Sequence, residues 1–116
     1  MIGIDLTRVS MYVRPGATDM RKAISGLSII ASEHMELDPL SGALFLFCNR
    51  SRRNLKVLLW DRNGFWLLQK KLERDRFPWP QTEEVAKEIT PEQLRMLLDG
   101  IDFWNAHRPL KLSSVS

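Results

Sequence analysis

The sequence predicts an α+β fold, a small antiparallel sheet of about four strands with helices packed on one side. Three observations carry this expectation. Asn63-Gly64 stands between two apolar runs, Leu55 to Trp60 and Phe65 to Leu72. That is the strongest short-range hairpin signal, since both residues tolerate the positive φ that tight turns demand. A third apolar run of strand length, Ala43 to Cys48, precedes them across an arginine-rich break, Asn49-Arg50-Ser51-Arg52-Arg53-Asn54. Helical periodicity lies before and after this block, so the order reads β, α, β, β, β, α, with strands in a run rather than in βαβ alternation.

Along the chain, Val9, Met11 and Val13 alternate with Ser10, Tyr12 and Arg14, the pattern of a half-buried strand ended by Pro15-Gly16. Thr18 or Asp19 then caps a helix running to about Met35, because Met20, Ile24, Leu27, Ile30 and Ala31 recur at helical spacing. Gly26 costs that helix about 1 kcal/mol relative to alanine and marks a close approach of its backbone to the sheet. Leu37 to Gly42 is a turn-rich connection. Beyond the central strands, Phe77-Pro78-Trp79-Pro80 is a rigid bend, since two prolines lack amide donors. Gln81 to Lys87 suits a short helix. Thr90-Pro91-Glu92-Gln93 matches a capping box with proline at the first helical position, followed by a stripe of Leu94, Leu97, Leu98 and Ile101. The expectation is one domain over residues 1–116, with an ordered core at 9–102 and a fraying tail at 105–116.

Strand parity assigns faces within the hairpin, and a two-residue or a four-residue loop gives the same answer. Leu55, Val57, Leu59, Trp66, Leu68 and Leu72 share one face, with Lys70 as its discordant member, and that face wants a core. The other collects Lys56, Leu58, Trp60, Phe65, Leu67, Gln69 and Lys71, a mixture of basic, aromatic and aliphatic groups where function can reside.

At 116 residues, with 44% hydrophobic and 27% charged, the chain is long enough for a genuine core. No apolar run approaches the ~20 residues of a membrane span, and Met1 to Ser10 lacks a signal-peptide pattern, so a cytoplasmic location is expected. The single Cys48, inside an apolar strand, reads as a buried thiol. Net charge is only +3, yet from Arg50 to Arg76 nine basic residues face three acids. A domain polarised in this way attracts polyanions to one region.

Catalytic and metal-binding chemistry find no pattern here. The acids Asp5, Asp19, Asp38, Asp61 and Asp99 fall at caps, turns and helix surfaces, whereas a nuclease needs carboxylates converging on metal ions. His34, His107 and Cys48 lack ligand spacing, and Gly16, Gly26, Gly42 and Gly64 are isolated rather than a phosphate loop. No catalytic, cofactor or metal site is therefore assigned. The basic cluster is the feature that stands out. Arg50, Arg52 and Arg53 crowd one loop, while Lys70, Lys71, Arg74 and Arg76 lie toward the end of the last hairpin strand, which returns beside that loop. Such a patch binds phosphates by charge. Lys56 and Arg62 are weaker candidates, and Arg21 and Lys22 join them if the first helix starts nearby. The competing reading is solvated charge at a hairpin end and an edge strand. Trp60 and Phe65 suit either stacking on unpaired bases or burial beneath a helix, and Trp79 suits pinning the bend or touching a partner.

The ordered set Thr18-Asp19-Met20-Arg21-Lys22 with Gly26-Leu27, then Leu37-Asp38-Pro39 through Ser41-Gly42-Ala43-Leu44-Phe45, then Leu55-Lys56-Val57-Leu58 with Trp60-Asp61, Gly64-Phe65, Leu72-Glu73 and Phe77-Pro78-Trp79-Pro80, and finally Leu97 to Asp102 resembles the TnpB accessory family of "insertion sequence 66" bacterial transposable elements. The similarity spans roughly Val9 to Asp102. It implies a non-enzymatic accessory protein that accompanies a separate transposase in DNA transposition and recombination, and it supplies no catalytic residues. The expected partners are DNA, gripped at Arg50, Arg52, Arg53, Lys56, Lys70, Lys71, Arg74 and Arg76, and the transposase of the same element. The alternative is an interaction module that binds the transposase or a second copy without DNA, anchored at the mixed face, the Phe77 to Pro80 bend, or Phe103 and Trp104.

Overall fold

Five strands form one sheet in the computed structural model, which describes residues 5–104. They are β1 (Met11–Val13), β2 (Leu44–Cys48), β3 (Asn54–Asp61), β4 (Gly64–Lys71) and β5 (Lys87–Ile89), with helices α1 (Ile24–Ile29) and α2 (Pro91–Leu98). Their spatial order is β4-β3-β2-β1-β5. The class is the expected α+β. The sheet is mixed rather than purely antiparallel, because β1 runs parallel to β2 while the other pairs are antiparallel. The connection carrying α1 returns the chain to the end from which β1 started, and a strand entered that way must run parallel to its predecessor.

The fifth strand replaces the short helix expected over Gln81 to Lys87. Lys87–Ile89 pairs with β1, Met11 opposite Ile89, and Ile89 is buried with Met11 in one core cluster. A stretch without an apolar helical stripe gains more by adding its β-branched residue to an open sheet edge.

The helices lie on opposite faces rather than on one. Leu27, Ile30 and Ala31 pack with Phe45, Phe47 and Leu58. Leu97 packs with Leu44, Leu46, Cys48, Leu55 and Leu59, joined by Phe77, Trp79 and Phe103. β2 is apolar at both parities and buried along its whole length, so it requires cover on both sides.

The first helix is shorter than its periodicity suggests. Neither Thr18 nor Asp19 caps it; Ala23 stands at the cap without a side-chain bond. The Asp19 carboxylate instead accepts from the Arg21 amide at 2.9 Å, and Lys56 Nζ donates to the carbonyls of Met20 and Lys22 at 2.9 Å each. Carbonyls held by a lysine favour a loop there over a helical turn. The helix continues over Ile30–His34 with wider π-type bonding, Met35 N donating to Ile30 O at 2.9 Å. A Cβ at Gly26 would lie 3.2 Å from the Lys22 side chain, so the close neighbour is that lysine stem and not the sheet. At α2 the capping box forms: Gln93 N donates to Thr90 Oγ1 at 3.1 Å and Thr90 N to Gln93 Oε1 at 3.0 Å. The tail expected to fray, Asn105 to Ser116 with His107, lies outside the described residues.

Candidate nucleic-acid interface

The hairpin register is the one parity requires, with Asp61 opposite Gly64 and Asn54 opposite Lys71. The loop is the two-residue form, and Arg62 takes the positive φ of 55° rather than Asn63 or Gly64. At the other end of the hairpin the arginine loop is laced to the strand exit. Leu72 N donates to Arg53 O and Phe77 N to Arg52 O, both at 2.8 Å.

Asn49 organises the loop internally. Its Oδ1 accepts from the amides of Arg53 and Asn54 at 3.1 Å each, and its carbonyl accepts from Arg52 N at 3.0 Å. Arg52 is held at a φ of 63° and Asp75, in the facing turn, at 64°. A non-glycine residue in that region costs on the order of 1 kcal/mol, so backbone bonds hold the loop in shape. The signal for Asn49 in the sequence is an asparagine opening a polar turn, where its side chain substitutes for a backbone acceptor.

The two basic groups are therefore neighbours. Arg50, Arg53, Lys70, Lys71, Arg74 and Arg76 are exposed, and among the described residues none of them makes an ion pair. They do not all point the same way. Lys71 pairs across from Asn54 and shares the α1 face, whereas Lys70, across from Leu55, lies on the α2 face. Arg50 borders an open groove of about 760 Å³ between the Ala17–Met20 loop and Asn49–Ser51. Arg52 is only half exposed and lines a separate cleft of about 310 Å³ with Pro78, Trp79, Lys87 and Trp104.

Lys56 does not belong to this surface. It is 8% exposed and its ammonium serves the Met20 and Lys22 carbonyls, so it presents no charge to a ligand. That interaction draws the 20–22 loop onto β3, on the face shared with Lys71, while the Lys22 side chain lies along Gly26 of α1. Arg21 is engaged in two bonds to Asp19 Oδ2, at 2.7 and 3.0 Å. Arg62 is exposed at the opposite end of the hairpin, against Asp61.

Trp60 and Phe65 meet edge to face at 5.1 Å, both partly buried, and Phe65 packs on the α1-side core. Trp79 pins the bend, its Nε1 donating to Arg14 O at 2.9 Å, and Trp104 Nε1 donates to Pro78 O at 2.9 Å. Phe103 is buried and Trp104 half-buried, so neither is an open anchor. The face expected to be a core divides: Leu55 and Leu59 are buried, but Trp66 and Leu68 on β4 are exposed because α2 does not reach them. Burial pushes the Cys48 thiol up to about 12, which leaves it protonated and unreactive. Among the described residues no three His, Cys, Asp or Glu side chains gather to hold a metal, and no helix is long and apolar enough to cross a membrane.

Two curated relatives are similar over most of their length. The uncharacterized protein y4hO of Sinorhizobium fredii is 43% identical over 95 residues, covering 82% of this chain and 83% of the relative. The uncharacterized protein y4jC of the same organism is 29% identical over 105 residues, covering 90% and 88%. No solved structure matches the chain significantly. A family model described as "IS66 Orf2 like protein" matches residues 9–108, nearly the whole chain, and the protein therefore belongs to the IS66 Orf2-like family, which associates it with transposition as an accessory protein.

Proposed function

We propose that this protein is a non-catalytic accessory factor that acts in the cytoplasm by holding nucleic-acid phosphates for a separate transposase during DNA transposition. The observation that carries this reading is the rigid basic end of the β3–β4 hairpin. Arg50, Arg53, Lys71, Arg74 and Arg76 are exposed and, among the described residues, without ion-pair partners, at the end of β4 and on two turns laced by backbone bonds at 2.8 Å. Unpaired cations keep their charge for phosphates, and turns already held by backbone bonds add no loop-ordering cost on binding. Arg52, in the cleft with Trp79 and Trp104, and Lys70, on the α2 face, lie beside this group.

A non-catalytic role is supported by the structural employment of the acids. Asp19 engages Arg21, Asp38 accepts from Leu40 N, Asp61 accepts from Trp66 Nε1, and Asp99 pairs with Arg95. Capture by charge carries little sequence information, so recognition of the element ends falls to the transposase.

The test is fluorescence anisotropy with element-end duplex, scrambled duplex and single strand across a salt series. Binding is expected to weaken linearly in log salt, with a slope matching about four to six phosphates at ~0.9 per contact on duplex. Arg50→Gln with Arg53→Gln should reduce that slope by about two contacts. No binding at low salt, or binding unchanged by the double substitution, overturns the reading and directs attention to the transposase as the immediate partner.

A further inference from the structure

Among the described residues no strand pairs with the outer edge of β4, and that edge points to a second copy of this chain. β4 is a terminal strand eight residues long, and its α2 face exposes Trp66 and Leu68, 46% and 39% open. Beside Leu68 a groove of about 230 Å³ runs between the hairpin and α2, walled by Val57, Leu94 and Leu98. A long apolar edge is a template for strand pairing unless something covers it.

The hydrogen-bond phase of β4 restricts what can pair there. Leu72 N donates to Arg53 O, so the even-numbered residues of β4 turn their backbone groups toward β3. Those of Phe65, Leu67, Gln69 and Lys71 face the open edge. In an antiparallel pair, outward residues must stand opposite outward residues, so a two-fold axis has to pass at a residue rather than between two.

We propose that β4 pairs antiparallel with β4 of a second copy about a two-fold axis at Leu67, joining the two sheets into one. This register sets Trp66 across from Leu68 of the second copy, twice, in the non-hydrogen-bonded positions where side chains approach most closely. Trp66 of the second copy then stands at the mouth of the Leu68 groove. Lys70 falls opposite Gly64 of the second copy, and behind that side-chain-free residue lies its Asp61, which pairs with Gly64 across the hairpin. Asp61 is shared with Trp66 Nε1 at 3.0 Å and Arg62 at 3.7 Å of its own chain, so Lys70 meets a partly neutralised carboxylate and the apolar match sets the register. An axis at Leu68 would instead oppose Lys70 to Trp66 and Lys71 to Phe65, and one at Gln69 would oppose Lys70 to Leu68. This interface does not depend on nucleic-acid binding.

Light scattering of the full chain after size-exclusion chromatography tests it. A particle of twice the chain mass is expected, and Trp66→Glu with Leu68→Glu, which sets glutamate against glutamate in both pairs, should weaken self-association by about 100-fold or more, with an unchanged circular dichroism spectrum. Register is read separately by oxidative cross-linking. Leu67→Cys should form an interchain disulfide, since opposed residues have Cα atoms about 5.5 Å apart, whereas Gln69→Cys should not. The native Cys48 is buried and does not interfere. A monomer at the highest soluble concentration, a dimer indifferent to the double substitution, or a Gln69→Cys variant that cross-links as fast as Leu67→Cys overturns the proposal. If the double variant unfolds, the cross-linking pair decides.

Discussion

The ammonium of Lys56 donates to the carbonyl oxygen of Lys22 at 2.9 Å, across 34 positions of sequence, and it binds the Met20 carbonyl at the same distance. One buried charge thereby holds the entry of the first helix against the sheet. Lys56→Met should lower stability by about 2 kcal/mol in a denaturant melt, since two partly buried carbonyls lose a charged donor. The salt slope of DNA binding, measured on the folded protein, should not change. A reduced slope would return Lys56 to the phosphate-binding set.

Lys70 and Lys71 are adjacent in sequence and opposite in space. Lys71 shares the α1 face with the 20–22 loop that Lys56 holds, while Lys70 is on the α2 face beside the apolar groove. In the anisotropy assay, Lys71→Gln should lower the log–log salt slope by about one contact and Lys70→Gln by clearly less. Equal effects would place DNA across the edge of the sheet rather than along one face.

Asp19 supplies a pH signature. Its bonds from the Arg21 side chain, then from the Arg21 amide, hold the carboxyl down at about 2 from an ordinary value of 3.8. A carboxylate with a depressed folded pKa contributes stability that is fully present above its unfolded pKa and is lost as pH falls through the folded one. The contribution should therefore fade between about pH 4 and pH 2. A carbon-detected NMR titration should find the Asp19 midpoint near 2, and Arg21→Ala should move it up toward 3.8. An unmoved midpoint would assign the shift to another cause.

Trp79 is fixed by a bond from its indole nitrogen to Arg14 O at 2.9 Å, inside the cluster that also holds Phe77 and Phe103. Trp79→Phe keeps most of the buried surface but orphans a carbonyl, so a loss of about 1–2 kcal/mol in thermal or chemical unfolding is expected. A neutral result would mean that the bend is held by its other bonds, such as those to Pro78 O and Pro80 O, and not by the Trp79 indole.

Much of the hairpin is legible in its residues alone. Leu55 through Leu72 carry a parity that makes Lys56 and Lys71 share a face and Trp66 and Leu68 share the other, and side-chain alternation along a strand permits nothing else. The nearness of the arginine loop to Lys70–Arg76 follows from the same pairing. Thr90 to Gln93 declare a helix start because a capping box is completed within four residues. What local pattern misses depends on distant partners. Lys56 reads as a surface cation until the Met20 and Lys22 carbonyls are found above it, and Thr18 reads as a cap although the fold buries it.

Periodicity along the chain and bonds between near neighbours suffice for the α+β class, the hairpin register, the capped last helix, the burial of Cys48 and the basic end of the hairpin. They do not suffice for the parallel pairing of β1 with β2, the placement of the helices on opposite faces, the withdrawal of Lys56 or the exposure of Trp66 and Leu68. Those outcomes belong to the tertiary structure, because they depend on which element covers each face of the sheet. A local pattern states that a face is apolar, and only the packed fold settles what is laid against it.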